Sequence, residues 1–70
     1  MDIAENIYKV MDCKHQKQSS VALAAGYSVK RFNDMLRGRK LIRAEDIPKI
    51  CKGLGVSPNE LLNWETNKAG

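Results

Sequence analysis

The sequence predicts an all-α domain, and three observations carry that prediction. Apolar residues recur at helical spacing in successive short segments, the segments are separated by glycines or opened by capping residues, and no run alternates apolar with polar residues as a half-buried strand would. At 70 residues there is room for one domain, with a core expected over about residues 3–64 and a short tail at 65–70.

Five helices are expected. In the first, about Asp2–Lys14, Ile3, Ile7, Val10 and Met11 share one face, and Asp2 is placed to cap it. The second, about Gln18–Ala25, has Val21, Ala22 and Ala25 on one side, small residues that suit close approach by another helix. Gly26 stops it. The third, 29–37, follows Ser28 as N-cap. Its apolar stripe is Val29, Phe32, Met35 and Leu36, with Lys30, Arg31, Asn33, Asp34 and Arg37 off the stripe and Gly38 ending it. The fourth, about Ala44–Leu54, aligns Ile47, Ile50, Cys51 and Leu54. Pro48 lies near its start, where N–H groups lack helical partners anyway. The fifth opens on Ser57-Pro58-Asn59-Glu60, a capping box with proline in the first helical position, followed by Leu61, Leu62 and Trp64.

Composition narrows the function classes. The apolar fraction of 43% is that of a globular domain. No apolar run is long enough to span a bilayer, and the acidic start, Met1-Asp2-Ile3-Ala4-Glu5, is unlike a signal peptide, so a cytoplasmic location is expected. Cys13 and Cys51 are then expected to be buried fillers rather than a disulfide. With His15 as the single histidine and no Cys-x-x-Cys pair, no metal site is expected. His15 is read as a solvent-exposed residue at the end of the first helix. There is no Ser-His-Asp arrangement and no phosphate-cradling glycine loop, which argues against an enzyme. No cofactor and no small-molecule ligand are expected.

The net charge of +4 is unevenly spread. Between Ser28 and Arg43 stand Lys30, Arg31, Arg37, Arg39, Lys40 and Arg43, with Asp34 the one acid among them; the segments on either side are near balance. Such a concentration suits a polyanion, although a solvated basic surface would look the same. The arrangement around it is more specific. A short helix, the turn Ala25-Gly26-Tyr27-Ser28 and a capped helix with one apolar and one cationic, hydrogen-bonding face can place the second helix in a DNA major groove.

The segment Gln18-Ser19-Ser20-Val21-Ala22-Leu23-Ala24-Ala25-Gly26-Tyr27-Ser28, followed by Phe32, Met35 and Arg37-Gly38, resembles the phage-repressor and Cro-like helix-turn-helix family (the XRE family). The stretch Lys49–Leu62 resembles that family's fourth and fifth helices, so the likeness covers about Gln18–Leu62. It implies a five-helix lambda-repressor-like domain and a sequence-specific double-stranded DNA-binding regulator, a repressor, acting as a homodimer on a palindromic operator. The alternative is a protein-interaction module, such as an antitoxin-type partner, built on the same fold. By position, the resemblance implies that Gln18 contacts phosphate, that Ser28 caps the recognition helix and touches the backbone, and that Val29, Lys30 and Asp34, with Asn33 nearby, face the bases. Arg39, Lys40 and Arg43 would run along the phosphates.

The chemistry agrees with those roles. Lys30 can donate to guanine O6 and N7, Val29 can pack on a thymine methyl, and Asp34 can accept from cytosine N4. An ion pair of Asp34 with Arg31 or Arg37 is the equal alternative, and both arginines can serve as phosphate binders. Pro58, Leu61, Leu62 and Trp64 are the candidate dimer surface, with Trp64 either anchoring a partner or folding back onto its own core. Three residues depart from the family pattern: Lys17 replaces a small capping residue, Gln16 an apolar one, and Leu36 a glutamate that pairs with an arginine near the position of Met11.

Overall fold

The computed structural model describes residues 3–64. Asp2 and the 65–70 tail lie outside the described residues. The elements are α1 (Ile3–Cys13), α2 (Gln18–Ala25), α3 (Val29–Leu36), α4 (Asp46–Leu54) and α5 (Pro58–Leu62), with no strand among the described residues. The fold is therefore the all-helical one that the spacing predicts.

Each expected apolar stripe turns inward with few exceptions. Ile7, Val10, Met11, Val21, Ala22, Phe32, Met35, Leu36, Ile50, Leu54 and Leu61 are buried together. Phe32 lies nearly parallel to the Tyr27 ring, with centroids 6.4 Å apart. Val29 leaves the stripe. It opens α3 at the edge of the core and stays 43% exposed. Cys51 is a buried filler, as expected, but Cys13 is exposed. Two residues beyond Met11, it lies roughly 200° around the helix from the buried face.

The ends of α1 to α4 follow one device. A residue in the left-handed region lets the next N–H reach back five residues to an unpaired carbonyl. Gly26 has φ +91° and Gly55 +78°, and the closing bonds are Tyr27 N–H to Ala22 O (2.9 Å) and Val56 N–H to Cys51 O (3.1 Å). Gly38 does the same for α3, with Arg39 N–H donating to Asp34 O at 2.8 Å. That bond ends α3 at Leu36, so Arg37 is its cap and not its last helical residue. At α1 the same position is His15, at φ 55°, with Gln16 N–H on Met11 O at 2.8 Å. His15 is exposed, as read from the sequence, but it holds a conformation that costs a side-chain-bearing residue about 1–2 kcal/mol.

Two starts also have local causes. Ser57 and Glu60 form the expected capping box, each side chain bonded to the other's backbone N–H. Regular α4 begins at Asp46, two residues later than the spacing suggests. Pro48 has no N–H to give Ala44 O, and Ile47 N–H takes that carbonyl over a shorter turn at 3.2 Å.

The remaining links hold distant segments together. α2 packs closely on α4, because position 53 is glycine. A Cβ there would meet Val21 O at 2.7 Å and the Ala25 Cβ at 3.0 Å. Lys14 Nζ donates to Leu54 O (2.6 Å) and Gly55 O (3.3 Å), and Gln16 Nε2 donates to Leu54 O (3.1 Å). A cation and an amide from beyond α1 thus satisfy the carbonyl end of α4, where positive charge is favoured. This explains a polar residue at position 16. Buried Asn6 donates to Leu61 O at 2.9 Å and hangs α5 on α1.

Candidate nucleic-acid interface

α3 is held by its apolar face and by both ends. Phe32, Met35 and Leu36 anchor it from within, and Ser28 Oγ accepts from Arg31 N–H at 3.1 Å, the cap expected from the sequence. Gly26 and Tyr27 make the turn from α2. α2 starts without a side-chain cap at Lys17, consistent with the departure seen there.

The opposite side of α3 and the loop after it carry the cationic groups. Lys30, Arg31, Arg37, Arg39, Lys40 and Arg43 are all exposed. The loop from Arg37 to Glu45 has no regular structure of its own, so its course depends on what grips its ends. Two buried aspartates do so. At the near end, Asp34 O accepts from the N–H of Arg39 (2.8 Å) and Lys40 (3.2 Å). The Asp34 carboxylate binds Arg39 Nε at 2.9 Å and Lys30 Nζ at 3.1 Å. At the far end, Asp46 accepts from Arg43 N–H at 2.9 Å and from the Tyr27 hydroxyl at 2.5 Å. Tyr27 therefore ties the turn of the helix pair to the end of the loop, and its ring lies under Arg31 and Lys49 at 5.7 and 5.9 Å.

The ionisation of these groups follows from their partners. The Arg39 and Lys30 bonds hold the Asp34 carboxyl below its usual range. The Tyr27 hydroxyl, then the Arg43 N–H, do the same for Asp46. Burial, together with the Asp46 bond, pushes Tyr27 up to about 12. A carboxylate with a lowered folded-state pKa contributes stability above its unfolded value of about 3.9, and that stability is lost as pH falls through the folded value. The melting temperature should thus be level from neutral pH to about 5 and drop below about 4. Asp46→Asn should melt lower at neutral pH and show a shallower acid slope. An unchanged acid slope in that variant would remove Asp46 from the account.

Several residues sit differently from the sequence reading. Asp34 is ion-paired, with Lys30 and Arg39 rather than Arg31 or Arg37. Arg39 reaches it only because the chain reverses at Gly38. Gln18 Nε2 donates to Asn33 Oδ1 at 3.2 Å, and Arg37 Nε approaches the same oxygen at 3.4 Å. Leu61 is fully buried in its own chain and Trp64 packs against that core, the second of the two placements open to it. Pro58 and Leu62 stay exposed. Tyr27 is read from the sequence only as a turn residue and Asp46 is not singled out, although an aspartate in the first turn of a helix is a usual partner for the N–H groups before it.

A family model described as the Cro/C1-type HTH DNA-binding domain matches residues 6–67. The chain belongs to that family. The match spans all of α2 to α5 and most of α1, so the pair α2–α3 is the helix-turn-helix of a Cro/C1-type domain. Neither the comparison with curated proteins nor the comparison with solved structures finds a match. Among the described residues, no group of side chains is arranged to hold a metal ion, and no helix is long and apolar enough to cross a membrane.

Proposed function

We propose that this Cro/C1-type domain is a sequence-specific transcriptional regulator, a repressor, that inserts α3 into the major groove of double-stranded DNA. The observation that carries the reading is the six exposed cations on α3 and its following loop, on a helix whose other face is committed to the core. In this reading Val29, Lys30 and Asn33 face the base edges. Gln18, Ser28, Arg31, Arg37, Arg39, Lys40 and Arg43 lie along phosphates, with the capped start of α3 adding partial positive charge. A module that only binds a protein partner has no use for such a row of cations.

One recognition helix reads few base pairs, and two-fold pairing would place two of them about 34 Å apart in successive major grooves. The exposed pair Pro58 and Leu62 is the surface of α5 left for such a homodimer on a palindromic operator.

Lys40→Ala tests the phosphate role. It should weaken binding to all sequences about equally and reduce the slope of log affinity against log salt by about one unit. A loss confined to one preferred sequence would contradict it. Molar mass with and without a selected palindromic duplex, repeated for Leu62→Glu, tests the pairing. One copy bound per palindrome would end the dimer proposal.

A further inference from the structure

Every side-chain acceptor on the DNA-facing side of α3 is already engaged within the protein. Ser28 Oγ receives the Arg31 N–H. Asn33 Oδ1 receives Gln18 Nε2 and faces Arg37 Nε. Since an arginine Nε can only donate, the atom of Asn33 that faces it must be the oxygen, and this fixes the side chain with its amino group turned away from the pair. The Asp34 carboxylate takes Lys30 and Arg39 and has 12% of its side chain exposed, while the Lys30 side chain beside it is 87% exposed. What remains available on this face are donors and methyl groups. These are the Asn33 amino group, the remaining ammonium N–H groups of Lys30 and the two methyls of Val29, with the remaining guanidinium N–H groups of Arg39 beside them for phosphate.

We infer that α3 reads its operator through a donor-only code, in which Asp34 contacts no base and serves as a positioning residue for Lys30 and Arg39. The inference rests on the DNA-binding reading above and names the base edges it would select. Donors need acceptors, which in the major groove are guanine N7 and O6, adenine N7 and thymine O4, and the thymine C5 methyl matches Val29. The amino groups of adenine and cytosine are donors and would find no free acceptor. A bidentate Asn33–adenine contact would require displacing Gln18 or Arg37 from Oδ1, whose two lone pairs they occupy. An Asp34–cytosine contact would require displacing two cations. Under α3, the contacted atoms should therefore be guanine N7 and O6, adenine N7, and thymine O4 with its methyl, and never an amino group of adenine or cytosine.

Selection from a random duplex pool with the intact protein, followed by single-atom changes in the preferred site, tests this. Replacing a contacted guanine by 7-deazaguanine, or a contacted thymine by uracil, should weaken binding, by about tenfold for the guanine. Removing the exocyclic amino group of adenine (as purine) or of cytosine (as 2-pyrimidinone) at positions under α3 should leave binding unchanged. Asp34→Asn should lower the ratio of specific to random-DNA affinity about tenfold without weakening binding to random DNA, since one negative charge is lost. Dependence on an adenine or cytosine amino group, or an Asp34→Asn variant that loses preference at a single cytosine, would overturn the code and leave DNA binding standing. Failure to retain any duplex would overturn the DNA-binding reading itself, and the code with it.

Discussion

Gly53→Ala is expected to destabilise the domain by about 1–3 kcal/mol, the usual range for an overpacked site. In an open helix the same change would be favourable by up to about 1 kcal/mol, because alanine is the better helix former. Here the added carbon would stand 2.7 Å from Val21 O and 3.1 Å from Ala25 N, both backbone atoms of α2. No rotamer change relieves those contacts, so α2 must move as a unit, and α2 is the first helix of the DNA-binding pair. The melting temperature should fall by roughly 4–8 °C for each kcal/mol in a domain of this size. A melting temperature equal to or above the parent's would show that α2 and α4 can separate without cost.

Leu36→Glu should have the larger effect, about 3 kcal/mol or more. It forfeits the burial of a leucine side chain, worth about 1.5–3 kcal/mol, and places a carboxylate where the leucine is 5% exposed. A 70-residue domain has a total stability of roughly 3.5–10 kcal/mol, so this variant should lose from about a third to nearly all of it, whereas Leu36→Met should cost under about 1.5 kcal/mol. Met11 is equally buried in the same cluster on α1. Adding Met11→Arg to Leu36→Glu should recover part of the loss by giving the carboxylate an opposite charge on α1, and urea midpoints of the four proteins give the coupling directly. Additive effects would mean that the two positions do not meet.

The helices were legible because their signals are local: a serine before an apolar stripe, a glycine after it, a proline at the start of α5. The boundaries that shifted did so through neighbouring chemistry, as where Pro48 delays α4 and the Gly38 reversal ends α3 before Arg37. The cations of the interface were legible as a cluster on the chain, because charge density needs no three-dimensional information. Their partners were not. Arg39 meets Asp34 through a reversal that helical spacing does not anticipate, and Tyr27 meets Asp46 across 19 residues. Spacing gives Gly53 no distinction, since its importance lies in the carbonyl of another helix. Trp64 had two placements open in the sequence, and within this chain it packs, partly buried, against the core.

The bond from Asn6 to the Leu61 carbonyl joins residues 55 positions apart. Bringing such a pair together closes a loop of most of the chain, and α5, at five residues, is too short to hold itself together in advance. Its docking is therefore expected after the folding barrier, where an interaction slows escape from the native state without hastening arrival, so Asn6→Ala should speed unfolding and leave the folding rate nearly unchanged. The contact between α1 and α5 should then govern the lifetime of each folded molecule more than its speed of folding.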